Sequence, residues 1–326
     1  MTNAAEIGKG DLPVLHLSES EVMRLLDPHA LLDGLEEGFK ALSRGEVQAP
    51  NRPELMVPER GFLLAMPAWR RGMNLTVKMV SVFEGNLARG LPNHLALINL
   101  FDPDTGAPLC VMDGTYITAI RTAASAALSV RALARPDAKV ATIIGAGVQG
   151  REHLKLLPLV RDFEEIRIAS LDRRDAEMLA ARHPVARAVT DVESAVRGSD
   201  VVCLASHAYE PVIAAGWIRP GTHVSSVGYA PPRGELPVAL ARDNALYVET
   251  AVAFDAPPVG CGELADLPRE HGIALGDMLL GRRPGRLFDR QITVYKAMGI
   301  AMEDMVAADI AYCEARRRSV GQRTIL

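Results

Sequence analysis

Gly145, Gly147 and Gly150 stand in the order Gly-x-Gly-x-x-Gly, directly after the β-branched run at 140–144. In a strand–turn–helix setting each glycine has a separate reason. The first permits the tight turn, the second lets a pyrophosphate approach the backbone, and the third lets helix and strand pack closely. The helix that follows turns its free N–H groups and positive dipole end toward the phosphates. Gly145, Gly147, Val148 and Gln149 are therefore expected to hold the diphosphate of a nicotinamide or flavin dinucleotide. Three cations in the first half of the chain are placed where carboxylate chemistry could use them. Lys78 lies inside an apolar strand between Val77 and Met79, facing either solvent or a cleft, and alternation alone favours solvent. Arg121 opens an alanine-rich helix, where it serves either an ion pair or a ligand. Arg52 sits in a loop between Asn51 and Pro53.

The second strand of the dinucleotide fold is expected to end near Ser170. An acid there would bond the adenosine ribose hydroxyls and favour NAD, whereas Ser170 leaves room for a 2′-phosphate. Arg173 and Arg174 can pair with such a phosphate. Asp172 points the other way, toward a ribose contact, or else it caps the next helix while the arginines stay solvated. The balance leans to NADP over NAD. Ser206, after the fourth strand, falls at the nicotinamide or ribose edge by fold logic.

These residues need elements to carry them. Residues 18–44 have helical spacing, with Ser18 and Glu21 as a capping pair and Pro28 opening a second helix. From Pro50 to Leu100 the pattern changes to strands near 62–66, 75–80 and 95–101. The turn 102–106 then leads to a return strand at 109–112. This half reads as an α+β unit with a largely antiparallel sheet. A helix spans 118–134 and stops before Pro136. Strands then alternate with helices at 140–144, 166–171, 186–189, 201–205, 224–227, 245–248 and 292–295, the pattern of a parallel, doubly wound sheet. The last helix runs from Gly299 to about Arg316. The expected fold is α/β: a Rossmann-type NAD(P)-binding domain over 121–302, and an α+β substrate and dimerisation domain made of 1–120 rejoined by the C-terminal helix, 303–326. Substrate is expected in the cleft between the two.

Bulk properties narrow the class. The chain has 326 residues, 48% hydrophobic and 23% charged, with a net charge of −4. No basic field exists to attract nucleic acid or anionic lipid. The cluster Arg316–Arg318 reads as a solvated helix end. The four cysteines are far apart, and no Cys-x-x-Cys pair points to a metal or a disulfide framework. No run reaches the length of a membrane span and the first residues lack a secretory pattern, so a cytoplasmic enzyme is the expectation.

Longer segments carry a more specific signal. Those at 78–86, 100–106, 113–114, 117–124, 145–149, 217–228 and 295–304 resemble the ornithine cyclodeaminase/mu-crystallin family, and the similarity extends over nearly the whole chain. The resemblance implies a homodimer formed by the N-terminal domain, a Rossmann domain holding NAD(P), and small amino or cyclic imino acids as substrates. It implies that Arg52, Lys78 and Arg121 bind the substrate carboxylate and order the reacting carbon, which reverses the solvent-facing reading of Lys78. Guanidinium pairs suit a carboxylate, and a nearby lysine can protonate the reacting group. Arg121, Thr122, Gly228 and His94 are further expected at the cofactor. His94, in Asn93-His94, resembles the Ser-His pair of ketimine-reducing members and is a second candidate proton donor.

Departures from the family pattern separate the activities. Cyclodeaminases resemble one another in an aspartate two residues past the glycine matching Gly228. Here Ala230 stands at that place, and the nearest acid, Glu235, matches a general structural position. Ala297 replaces a serine common in the last strand. The expected function is NAD(P)H-dependent reduction of cyclic imino acids of the ketimine, pyrroline- or piperideine-carboxylate type, or the reverse amino-acid dehydrogenase reaction. The alternatives are a cyclodeaminase-type lyase with internally recycled NAD, or a protein that binds NADPH and small ligands without turnover.

Overall fold

Along the strand Leu75–Val82, Thr76, Lys78 and Val80 are buried while Leu75 and Met79 are exposed. Side chains of a strand alternate between faces, so Lys78 belongs to the covered face. The solvent-facing expectation from alternation alone is thus corrected. The exposed positions here are apolar, so hydrophobic pattern could not tell the two faces apart. The computed structural model describes residues 12–257 and 259–325, and these divide into two units. The first unit takes in the described residues up to Leu31, Gly45–Thr118 and Ile300 onward.

Its sheet has eight strands. Gly61–Arg70, Leu75–Val82, His94–Phe101 and Pro108–Asp113 form an antiparallel meander, with Val47–Gln48 and Glu54–Val57 both on Gly61–Arg70. Pro13–Leu17 joins Pro108–Asp113 in parallel, and Gln322–Ile325 closes that edge antiparallel to Pro13–Leu17. The Asp102 carboxylate accepts from the backbone N–H groups of Asp104 and Thr105, each at 2.9 Å, which shapes the turn foreseen at 102–106. The inward face carries Leu64, Met66, Val80, Ile98, Leu100 and Met112. Helix Ala301–Arg318 lies against the three longest strands. A side-chain bond from Asn74 to Asp309, 2.7 Å, ties this helix to the turn before Leu75–Val82.

The second unit comprises Leu32–Arg44 and Ala119–Gly299. All eight of its strands pair in parallel, in the order Ala186–Ala188, Glu165–Ala169, Val140–Ile144, Val201–Leu204, His223–Ser226, Thr293–Lys296, Ala245–Val248 and Gly272–Ala274. Chain order reverses between Val140–Ile144 and Val201–Leu204, the switch point at which such sheets open a crevice for ligands. An expected boundary at residue 120 would leave Leu32–Arg44 with the first half. These residues instead pack within the second unit. Arg131 donates to Glu36 at 2.6 Å, Arg282 donates to the Ser43 carbonyl at 2.8 Å, and Gly276 abuts the Phe39 carbonyl so closely that a Cβ would lie 2.0 Å from it. Among the described residues no helix is long and apolar enough to cross a membrane.

Candidate active site

Lys78 is buried on the inward sheet face, and its Nζ lies 2.7 Å from an Asp304 carboxylate oxygen. The two side chains are 1% and 0% exposed. Asp304 stands in the first turn of the final helix, where an acid is favoured by the dipole. A lone buried ammonium would be costly, and the carboxylate offsets part of that cost. The ion pair holds the ammonium at a fixed point on the face.

Arg52 immediately precedes Pro53, whose carbonyl accepts from the Ala65 N–H at 3.2 Å. The register Glu54↔Leu64, continued by two residues, sets Arg52 beside Met66, and Met66 pairs with Lys78. The extended register sets Arg52 two strands from Lys78, about 10 Å between backbones. His94 opens its strand on the same face as Lys78, since His94↔Val82 and Ile98↔Lys78 are register pairs. Four residues of strand separate it from the Lys78 row, about 13 Å, and its side chain is exposed. Lys78 and His94 are not brought together.

In the second unit the glycine loop has the shape a diphosphate needs. Gly145 adopts φ 119°, and a Cβ there would lie 2.3 Å from the Ala205 carbonyl. A Cβ at Gly150 would lie 2.0 Å from the Gly145 carbonyl. Gly147 differs from both. It caps helix Val148–Leu156 without a side-chain bond, and a Cβ there would meet nothing within 4 Å. Its smallness serves no neighbour in the protein, as expected where phosphate approaches the backbone. Val148 is exposed, and the buried Gln149 Oε1 has no hydrogen-bond partner among the described residues. The donor set and the free space both fit a dinucleotide.

The strand at Glu165–Ala169 ends just before Ser170. Asp172 caps the next helix by accepting from the Arg174 N–H at 2.8 Å, and Arg173 donates to Glu177 at 2.7 Å. Both bonds are local to the start of that helix. Ser206 and Gly228 are joined through Glu235. One carboxylate oxygen accepts from the Ser206 N–H and hydroxyl, each at 2.7 Å. The other accepts from the Gly228 N–H at 2.7 Å and the Ser226 hydroxyl at 2.9 Å. Lys296 donates to the Gly228 carbonyl at 2.6 Å, to Ser226 at 3.2 Å and to Glu263 at 2.8 Å. Burial works against the Lys296 charge, yet Glu263, Cys261 and Glu235 outweigh it and raise its proton affinity.

Arg121 and Thr122 are buried near the middle of helix Thr115–Leu133. The guanidinium of Arg121 lies against Gly299, which has φ 80°. A Cβ there would sit 2.3 Å from a guanidinium nitrogen. Glu249 holds that turn by accepting the Gly299 N–H at 3.0 Å and the Met298 N–H at 3.0 Å. Ala230 is buried and apolar. Glu235 has both oxygens fully engaged, so it does not replace the missing aspartate.

Three acids were not singled out from sequence as site residues: Asp304, Glu249 and Glu263. Asp304 and Glu303 form an acidic pair at a helix start, which reads as dipole compensation. Only the packing of that helix on the Lys78 face separates Asp304 from a solvated acid. Glu249 and Glu263 lie at strand ends and in turns without periodic signal.

A parallel, doubly wound unit with a glycine loop at its switch point, in one chain with a sheet that buries a paired lysine, defines a class of Rossmann-type proteins. The profile of the Ornithine cyclodeaminase/mu-crystallin family matches residues 14–319. The chain belongs to that family. Ketimine reductase mu-crystallin of Mus musculus is 35% identical over 304 residues, spanning 91% of this chain and 96% of that protein. The structure of Thermococcus litoralis Δ1-pyrroline-2-carboxylate reductase in complex with NADH and L-proline is similar with a TM-score of 0.89 and 34% identity, covering 95% of this chain and 100% of that one. An archaeal alanine dehydrogenase dimer with bound NAD is similar with a TM-score of 0.86 and 30% identity, covering 96% and 99%.

Proposed function

We propose that this protein is an NAD(P)H-dependent reductase of cyclic imino acids. The observation that carries the reading is the buried Lys78–Asp304 pair, in a chain whose other unit has a glycine loop at the sheet's switch point. Reduced nicotinamide, when bound, supplies hydride to the imine carbon. Arg52 and Arg121 bind the substrate carboxylate, with guanidinium forks matched to its two oxygens. Lys78, positioned by its ion pair with Asp304, donates a hydrogen bond or a proton toward the imine nitrogen. Protonation makes the C=N carbon a better acceptor, so orientation and one donor suffice. Gly145, Gly147, Val148 and Gln149 hold the diphosphate, Ser170, Asp172 and Arg173 lie at the adenosine end, and Ser206 and Gly228 at the nicotinamide end. Ser170 favours NADP by leaving room for the 2′-phosphate. His94 has a cofactor contact rather than a proton-donor role, given its distance along the face from Lys78.

Similarity to proteins that reduce pyrroline-carboxylate and ketimines supports this substrate class. The buried apolar Ala230 counts against the lyase. The reading includes a homodimer built on the outer face of the first unit's sheet, where Leu55, Leu75, Met79, Leu95 and Leu97 are exposed.

The test is oxidation of NADH and of NADPH with five- and six-membered cyclic imino acids, alongside assay of ammonia from ornithine. Sustained oxidation with an imine and no ammonia supports the reductase. Ammonia release without net cofactor change would establish the lyase, and saturable binding without turnover a ligand-binding protein.

A further inference from the structure

We propose that Glu235 is a positioning residue for the nicotinamide half of the cofactor, acting through the two loops that its carboxylate joins. Those loops follow Val201–Leu204 and His223–Ser226, the strands on the far side of the switch point from the Ser170 end. A dinucleotide crossing a switch point places its second mononucleotide on that side. This inference therefore rests on the reading that the chain binds a nicotinamide dinucleotide, but not on the identity of the imine.

The geometry demands a carboxylate, not merely a polar side chain. Each oxygen of Glu235 receives one backbone N–H, from Ser206 or from Gly228, and one hydroxyl. A hydroxyl can rotate to become an acceptor, whereas a backbone N–H cannot. Glutamine has one oxygen and one NH2, so in either orientation its NH2 would face one of the two backbone donors. One loop must move away, although the side chain keeps its shape. The Gly228 peptide is gripped on both sides, with its N–H on Glu235 and its carbonyl on Lys296. Close packing adds to this: a Cβ at Gly228 would lie 2.6 Å from the Glu235 carboxyl carbon. Lys296 and Glu263 extend the network through Ser226, so Ser206, Gly228 and the strand Thr293–Lys296 are tied together by one set of hydrogen bonds.

The test compares wild type with Glu235→Gln and Ser226→Ala, full-length, for binding of NADH, of NADPH and of ADP-ribose, which lacks the nicotinamide. The expected result for Glu235→Gln is a loss of reduced-cofactor affinity of about tenfold or more, from a buried donor left unmatched, with ADP-ribose affinity held within about twofold. Ser226→Ala should show a smaller loss of the same kind, and it carries the test alone if Glu235→Gln does not fold. Unchanged reduced-cofactor binding in a folded variant, or parallel loss of ADP-ribose, would overturn the proposal. Because no imine is needed, failure of the reductase reading shows separately, as absence of turnover in wild-type protein that still binds cofactor.

Discussion

Lys78 is where residue chemistry and stability are hardest to separate. Removing the ammonium alone leaves Asp304 as an uncompensated buried charge, so Lys78→Met should destabilise the protein by ~3–5 kcal/mol and abolish turnover. The double variant Lys78→Met/Asp304→Leu replaces the pair by apolar groups of similar size and should recover most of the stability while remaining inactive. Urea denaturation together with NAD(P)H oxidation reads both effects. Activity in the double variant would show that Lys78 is structural only. Lys78 could be found in the sequence as a cation in an apolar strand, but its direction could not. Its neighbours Val77 and Met79 are apolar although they face outward, so only the register and the helix covering the face decide the matter.

At the scale of elements, the glycine loop was the most legible feature. A β-branched strand, three glycines at fixed spacing and a helix start each have a local cause. The structure distinguishes glycines that the motif treats alike. Gly147→Ala adds a Cβ into open space without backbone strain, so thermal stability should stay near wild type while cofactor affinity falls about tenfold or more. Gly145→Ala meets the Ala205 carbonyl at φ 119° and should lower stability as well. Unaltered cofactor binding in Gly147→Ala would remove the loop from the site. Seven of the eight strands of the parallel sheet were legible from their alternation with helices. The short edge strands Val47–Gln48, Gly272–Ala274 and Gln322–Ile325 were not, because two to four residues with little apolar content carry no period. Glu235 stood close to the missing aspartate in sequence. Its four donors come from two strand ends and the loops after them, which only the fold assembles.

Over the whole molecule, two properties follow from what is buried and what is not. His223 is forced neutral, with burial and then the charges of Arg286 and Arg161 pushing it down to about 3. Burial pushes His153 down to about 4, against a smaller opposing effect of the Gln149 carbonyl. Unfolding lets both rise toward 6.5, so the unfolded chain takes up protons first as the pH falls. Stability from these groups is full above about pH 6.5 and declines toward pH 4. Thermal or urea midpoints should therefore drop between pH 7 and pH 5, whereas a flat profile would contradict the burial of neutral histidines. The outer sheet face gives the second property. Met79 and Leu97 are register partners, 42% and 56% exposed. Met79→Glu/Leu97→Glu should turn a dimer into a monomer in light scattering, with the dinucleotide unit still folded. A monomeric wild type would contradict this assignment of the face.

The most direct test of the central claim follows the hydrogen itself. Wild-type protein is supplied with reduced cofactor carrying deuterium at both hydrogens of the nicotinamide C4 and with a five- or six-membered cyclic imino acid, and the product is analysed by mass spectrometry. The account predicts one deuterium on the α-carbon of the cyclic amino acid, in proportion to the cofactor oxidised. Product without deuterium, or oxidation of cofactor without an amino acid formed, would contradict it.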